Sequence, residues 1–141
     1  MQISASGLTA ERLRLDVISN NLANVNTTRD ANGQPYRRQV VIMEARGGGG
    51  FSRALAAAHR GDAPGQGVQV NSVRSDNSPF KIVHDPGHPD RDAQDNVKMP
   101  NIEPVVEMVD MISATRAYEA GVTAIASAKQ MESRALEIGR A

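Results

Sequence analysis

Cysteine and tryptophan are absent from this chain of 141 residues, which also has only two Phe and two Tyr. The lack of cysteine excludes disulfides, a thiolate nucleophile and zinc-thiolate sites, and it makes the chain indifferent to the redox state of its compartment. With so few aromatic side chains, the core lacks the bulky residues that usually dominate it. Packing must therefore rely on Leu, Ile, Val, Met and Ala, which favours helix packed against helix.

Neither sign of charge is in excess, because 16 Lys and Arg balance 16 Asp and Glu. No overall field therefore draws the chain toward nucleic acid or anionic lipid. No apolar run approaches the roughly 18 residues that a transmembrane helix needs. The start, Met1 to Gly7, has neither a basic segment nor a continuous apolar stretch, so we expect no cleaved secretory signal. The sequence predicts a soluble chain made in the cytoplasm.

The longest periodic stretch runs from Asn101 to Ile138 and predicts one long helix, with Asn101 as its cap and Pro104 in its first turn. Two stripes with steps of three and four residues can be traced along it. The first stripe consists of Met108, Met111, Thr115, Tyr118, Val122 and Ile125, and the second of Ala114, Ala117, Gly121, Ala124 and Ala128. Adjacent residues of a helix do not share a face, so one partner helix cannot cover both stripes.

The first turns of this long helix are apolar on nearly every side. Six of the eight residues from Val105 to Ile112 are apolar: Val105, Val106, Met108, Val109, Met111 and Ile112. A helix that is apolar all round is normally buried all round. Because the chain has little other helical sequence with which to bury it, we expect other chains to supply the missing partners.

A shorter helix is predicted from a cap at Ser4 or Ser6 to about Asn24. Its apolar positions follow a heptad: Leu8, Leu15, Ile18, Leu22 and Val25. Four asparagines lie at its end: Asn20, Asn21, Asn24 and Asn26. They indicate either a fraying helix end or amides that bond across subunits and fix their register. We predict a mainly α fold with a small β part, in which the two terminal helices pair as an antiparallel coiled-coil-like hairpin.

We divide the chain into an N-terminal helix over 1–27, a middle β-hairpin and loop region over 28–100, and the long helix over 101–141. Strands are predicted in the middle region because β-branched residues concentrate or alternate there. These strands cover Tyr36 to Ala45, Val68 to Val73 and Phe80 to His84. The Gly-rich segment 47–67 is predicted to be flexible, with a short helix or a mobile loop at 51–60. The signature of a phosphate-binding loop does not follow its glycines.

The segment from His84 to Asp92 is the one place where the sequence suggests chemistry. His84 and His88 lie four residues apart among three aspartates, which resembles a metal site. That spacing aligns both imidazoles only on a helix, and Pro86 and Pro89 exclude a helix here, so a polar loop is the simpler interpretation. No catalytic set emerges, and we expect no enzyme activity, cofactor, bound metal, nucleic acid or small-molecule substrate.

Both ends of the chain resemble the terminal signatures of bacterial flagellar rod and hook proteins, the axial protein family. The N-terminal match covers Ser4 to Thr27, and the C-terminal match begins with Lys98 to Ile112 and continues with Arg116 to Ala120. The segments Pro35 to Gln39 and Asp85 to Asp90, together with the short length, narrow the resemblance to a proximal rod protein. The chain departs from the family pattern at Gly121, where a larger residue is usual, and at Asp95 to Val97, which replace a Gly-aromatic pair.

The resemblance implies a structural subunit that passes largely unfolded through the flagellar type III export apparatus, without a cleaved signal peptide. In the periplasm such subunits form the rod, a helical tube that transmits torque and whose inner wall, built from the paired terminal helices, lines the export channel. The implied partners are further copies of the chain, the rod proteins FlgB, FlgF and FlgG, and the base adaptor FliE.

We predict that assembly contacts lie on the two terminal helices. The residues concerned are Leu8, Leu15, Ile18, Asn21, Leu22, Asn24, Val25, Val105, Met108, Val109, Met111, Ile112, Tyr118, Val122 and Ile125. Three alternatives stay open at this point. The chain could be another rod or hook protein, an adaptor whose helical hairpin binds one partner helix in a groove, or an enzyme that binds metal through the loop from His84 to Asp92.

Overall fold

The computed structural model describes residues 2–46 and 66–139. The predicted short helix or loop at 51–60, and nearly all of the Gly-rich segment 47–67, lie outside the described residues. The elements in chain order are α1 (Gln2–Ala23), β1 (Gln39–Ala45), β2 (Val68–Ser75), β3 (Lys81–His84), β4 (Asn96–Met99) and α2 (Pro104–Ile138). The described part of the chain is therefore mostly helical with a small β part, as predicted.

Helix α1 begins at Gln2, so the predicted caps at Ser4 and Ser6 are wrong. Ser6 lies inside the helix, where its hydroxyl donates a hydrogen bond to Ile3 O at 2.7 Å. The same hydroxyl accepts a hydrogen bond from Val68 N at 3.1 Å, which ties α1 to the start of β2. A serine that looks like a helix cap in the sequence therefore serves as a contact between helix and strand.

Helix α2 begins at Pro104, three residues after the predicted cap at Asn101. Glu103 occupies the N-cap position with an extended backbone, as expected for a residue that precedes proline. Asn101 instead joins three loops: its Oδ1 accepts from Arg38 N at 2.9 Å, and its Nδ2 donates to Ser78 Oγ at 2.8 Å and to Asp76 O at 3.1 Å. Asn101 therefore fixes the approach to α2 rather than its first turn.

The strands form two small antiparallel sheets. Strands β1 and β2 pair from Gln39 opposite Ser75 to Ala45 opposite Val68, with a register shift between Ile42 and Met43. Strands β3 and β4 pair from Lys81 opposite Met99 to His84 opposite Asn96. Strand β4 was not predicted, and its Val97 is almost fully buried.

The two helices contact each other along α1 and run in opposite directions. Asn21 Nδ2 lies 3.2 Å from Glu107 Oε2 at one end of the contact. Further along, Leu8 packs on Gly121 so closely that a Cβ at Gly121 would lie 2.8 Å from Leu8 Cδ2. At about 1.5 Å per residue, α1 is about 33 Å long and α2 about 52 Å. The longer helix therefore continues beyond the end of its partner.

The small core lies where α1 meets α2 and the first sheet. Its buried apolar residues are Ala10, Val17, Ile18 and Ala114, while Val97 of β4 and Ile102, just before α2, are buried outside the two helices and the first sheet. Strands β1 and β2 also contact α1, so this helix lies between the long helix and a sheet. Within the described ranges, neither helix is apolar enough over a sufficient length to span a bilayer.

Candidate assembly interface

One face of α2 packs against α1, and it combines residues from both predicted stripes. The buried or half-buried positions of that face are Glu107, Met111, Ala114, Tyr118, Gly121, Ile125 and Ala128. The larger side chains Met111, Tyr118 and Ile125 alternate with the small residues Ala114, Gly121 and Ala128. Helix α1 therefore meets three residues of each stripe and leaves the other members exposed, so it covers neither stripe completely.

The polar end of this contact is built around Glu107, whose side chain is buried. Arg38 Nε donates to Glu107 Oε1 at 2.5 Å, and Asn21 Nδ2 donates to Oε2 at 3.2 Å. The Arg38 guanidinium also lies 3.5 Å from Asp110 and 3.9 Å from Asp76. A buried carboxylate needs a cation and hydrogen bonds to offset its lost hydration, and Glu107 has both.

Asn21 holds α1, β1 and α2 together through one side chain that is 1% exposed. Its Oδ1 accepts hydrogen bonds from Gln39 N at 2.9 Å and from Tyr36 Oη at 3.3 Å. Its Nδ2 donates to Gln39 O at 2.8 Å as well as to Glu107. Because the amide is buried within the chain, Asn21 in this structure does not form the hydrogen bond to a second subunit that was one of the two predicted alternatives.

Asn24 closes the end of α1. Its Nδ2 donates to Asn20 O at 2.9 Å and to Asn20 Oδ1 at 2.8 Å, while its Oδ1 accepts from Thr27 Oγ1 at 3.1 Å. These bonds satisfy backbone and side-chain groups at a helix terminus. The sequence left open whether the asparagines end the helix or bond to another subunit. In the single chain, the side chain of Asn24 bonds to residues at the end of α1.

Two pKa values respond to this arrangement. Burial raises the pKa of Tyr36 above its ordinary value of 10.0, and the negative charges of Glu107 and Asp30 raise it further. The backbone amide and the hydroxyl of Ser78 lower the pKa of the half-buried Asp76 carboxyl, and the nearby Arg38 adds to this effect. Both shifts follow from the loops that meet at the start of α2.

The first turns of α2 carry a solvent-facing apolar surface. It consists of Val105, Val106, Met108, Val109 and Ile112, whose exposed fractions lie between 49% and 67%. We call these five residues the α2 apolar surface. Val106 was missing from the predicted set, although the run of apolar residues from Val105 to Ile112 contained the signal for it.

The predicted assembly residues fall into two groups. The exposed group consists of Val105, Met108, Val109, Ile112 and Val122. The group that is buried or half-buried within the chain consists of Leu8, Leu15, Ile18, Asn21, Leu22, Asn24, Val25, Met111, Tyr118 and Ile125. A heptad pattern identifies residues that pack but does not distinguish a partner in the same chain from one in another.

The loop from His84 to Asp92 has structural contacts of its own. His88 Nδ1 accepts a hydrogen bond from Asp90 N at 3.1 Å, and Asp90 Oδ2 accepts one from Thr28 Oγ1 at 2.8 Å. The second bond joins this loop to the segment that follows α1. Among residues 2–46 and 66–139, no group of three or more His, Cys, Asp or Glu is arranged to hold a metal ion.

Sequence comparison places the chain in a family. A family model described as Flagella basal body rod protein matches residues 1–29, and one described as Flagellar basal body rod FlgEFG protein C-terminal matches residues 93–138. The chain is 46% identical to the flagellar basal-body rod protein FlgC of Bacillus subtilis, with 99% of this chain and 96% of that protein covered. The chain belongs to the FlgC family. FlgC of Borreliella burgdorferi is 47% identical and FlgC of Escherichia coli 38%, each with 98% of this chain and 94% of the relative covered.

Membership in the FlgC family establishes the broad function. The relatives are structural rod proteins, so this chain is a structural rod subunit of the flagellar basal body, and it is not an enzyme. The resemblance seen at both ends of the sequence is thereby confirmed. The glycine at position 121, unusual for the family pattern, has a structural reason, since it admits Leu8.

Proposed function

We propose that this chain is a subunit of the proximal rod that assembles in the periplasm through its terminal helices. The assembled wall transmits torque and encloses the flagellar export channel. The chain reaches its site through the type III export apparatus without a cleaved signal. Its neighbours are further copies of itself and the basal-body proteins FlgB, FlgF, FlgG and FliE.

The α2 apolar surface is the observation that carries this proposal. A surface of five clustered Val, Met and Ile residues is unfavourable in water and is typical of a protein interaction site. It lies on the side of α2 opposite the face that contacts α1, since Val109 and Tyr118 are two and a half helical turns apart, so one helix serves an internal and an external contact. That arrangement suits a subunit that is completed by its neighbours.

We infer that α1 and α2 pair as an antiparallel coiled-coil-like hairpin. The alternation of large and small residues along the contact face of α2 supports this pairing, as does the close approach of Leu8 to Gly121. Segments 1–27 and 101–141 would then form the assembling part, and segment 28–100 would form a separate β part held to them by Asn21 and Arg38. The hairpin gives each subunit a rigid edge.

A charge placed in the α2 apolar surface tests the proposal. We expect Val109→Asp and Ile112→Asp to abolish swimming in the parent bacterium while cellular levels of the protein stay normal. The reason is that an unpaired carboxylate buried between subunits costs several kcal/mol, more than one apolar contact contributes. Swimming is measured by the spread of cells in soft agar, and protein levels by immunoblot.

The matched control is Val109→Leu, which keeps the surface apolar and should leave swimming intact. Both aspartate positions are more than half exposed in the single chain, so the variants should fold like the parent protein. Circular dichroism of the purified variants checks this. Normal swimming by both aspartate variants would refute an assembly role for this surface.

A further inference from the structure

Methionine supplies all the sulfur of this chain, since six Met and no Cys are present. The lack of thiols removes disulfide chemistry, but thioethers remain open to oxidation. Met108 and Met131 of α2 are 50% and 66% exposed, whereas Met43, Met99 and Met111 are half-buried. In the described part of the chain, Met108 and Met131 therefore carry the thioethers that a small oxidant reaches most easily.

Met108 differs from Met131 in its surroundings. Residues three and four apart are neighbours on a helix surface, so Met108 lies between Val105 and Ile112 within the α2 apolar surface. By the same rule Met131 lies beside Arg134, and it is outside that surface. A chemical change at the Met108 sulfur therefore alters the middle of the α2 apolar surface, and the same change at Met131 does not.

We propose that Met108 is an oxidation site through which hydrogen peroxide blocks docking of the α2 apolar surface. A lone pair of the sulfur attacks one peroxide oxygen, so the O–O bond breaks and an S–O bond forms. The sulfur is oxidised by two electrons, and the departing hydroxide takes the proton of the transferred oxygen and leaves as water. The product is methionine sulfoxide, which sulfoxide reductases convert back to methionine. This inference rests on the proposed function, in which that surface docks on a neighbouring subunit.

A sulfoxide at position 108 weakens docking because its oxygen is a hydrogen-bond acceptor. In the free chain that oxygen faces water. Docking removes the water, and the apolar side chains around position 108 offer no donor in exchange. An acceptor buried without a partner should weaken the contact by about fivefold or more. Once formed, the contact shields the thioether, so the sensitive state is the subunit before it docks.

Peptide mass spectrometry of the purified full chain, treated with hydrogen peroxide for increasing times, tests the accessibility of each sulfur. We expect Met108 and Met131 to gain an oxygen before Met43, Met99 and Met111. Met111 is the closest comparison, because it lies three residues after Met108 on the same helix but faces α1. Oxidation of Met108 no faster than that of Met111 would overturn the proposed site.

A glutamine at position 108 imitates the sulfoxide in cells, because its side chain has a similar length and is polar without charge. We expect Met108→Gln to reduce the spread of the parent bacterium in soft agar while its level on an immunoblot stays normal. The matched control is Met131→Gln, which makes the same change on the same helix outside the α2 apolar surface and should swim like the parent strain. Circular dichroism of both purified variants checks that they fold.

Peroxide treatment of cells tests the sulfoxide itself. In parent cells that make the chain during sublethal peroxide exposure, the ratio of Met108 sulfoxide to Met131 sulfoxide should be about fivefold lower in purified basal bodies than in the unassembled chain. An equal ratio in the two pools, or equal swimming of the two glutamine variants, would overturn the inference. If Val109→Asp and Ile112→Asp fail to swim while either of these results is found, the surface keeps its assembly role and only its sensitivity to oxidation is refuted.

Discussion

Replacing Asn21 by Asp changes one nitrogen to an oxygen, and we expect it to destabilise the fold strongly. Nδ2 of Asn21 donates to Gln39 O at 2.8 Å and to Glu107 Oε2 at 3.2 Å. In Asn21→Asp, both hydrogen bonds become contacts between two acceptors, and the second becomes a contact between two carboxylates. The site is 1% exposed, so water cannot relieve either contact.

The loss of stability can be estimated by comparing two states of the new carboxyl: ionised and repelled by Glu107, or kept protonated. The state with the lower free-energy cost sets the loss. Two carboxylates separated by the 3.2 Å of the present bond repel by about 5 kcal/mol at an effective dielectric constant of about 20. Keeping the new carboxyl protonated at pH 7, about three pH units above its ordinary pKa, costs about 4 kcal/mol. Protonation costs less, so we expect the free energy of unfolding to fall by about 4 kcal/mol at pH 7.

This response makes the loss depend on pH in a defined direction. The new carboxyl at position 21 has a higher pKa in the folded chain than in the unfolded chain, so the folded state binds more protons. Its destabilising effect is therefore full at neutral pH and declines as the pH falls toward the ordinary carboxyl range. Between pH 7 and pH 5, the deficit relative to the parent chain should shrink by about 2.7 kcal/mol.

Urea unfolding followed by circular dichroism, at pH 7, 6 and 5, measures the deficit. The matched control is Asn20→Asp, because Asn20 is exposed. Its Oδ1 accepts a hydrogen bond from Asn24 Nδ2, and the carboxylate introduced at position 20 could accept the same hydrogen bond. We expect this control to stay within about 0.5 kcal/mol of the parent, as is usual for surface changes. If Asn21→Asp loses no more stability than the control, or loses the same amount at pH 5 and pH 7, the account of this site is refuted.

Three further predictions concern other contacts of the fold. Gly121→Val should cost about 1–3 kcal/mol in urea unfolding because its side chain overlaps Leu8, and Leu8→Ala in the same chain should recover part of that loss, since the two changes couple. Absorbance titration at 295 nm should show Tyr36 ionising above pH 10.0, and stability should fall as pH rises through that range because the unfolded chain releases the proton first. Gly67→Ala should destabilise by more than about 1 kcal/mol in the same assay, because the glycine has φ +103° and an added Cβ would collide with Ser6 Oγ; an unchanged midpoint would contradict the close approach of α1 to β2.

Periodicity predicted both long helices and the strands near Val40, Val70 and Ile82, because each of these patterns is local. It did not predict which residues of α2 face α1. Steps of three and four residues fit several overlapping stripes, and the choice depends on how closely the backbones approach. Here Gly121 determines that approach by admitting Leu8, which local sequence cannot reveal.

The polar site was hidden from the sequence for a different reason. Glu107 lies near the positive end of a helix, where an exposed acidic residue would be ordinary. Its burial depends on Arg38, 69 residues away, and on Asn21, 86 residues away. Strand β4 (Asn96–Met99) was missed because Val97 is its single β-branched residue, so the sequence shows neither a run nor an alternation of such residues there. Contacts that join distant parts of a chain leave little local pattern.

The order in which the chain is synthesised gives these long-range contacts a consequence. Leu8 packs on Gly121, and Asn21 bonds Glu107, which is made 86 residues later, so α1 cannot complete its packing until α2 has been made. Folds dominated by such distant pairings close slowly. A chain whose synthesis stops before Pro104 lacks α2, so it cannot form the contact between the two helices that the full-length chain forms.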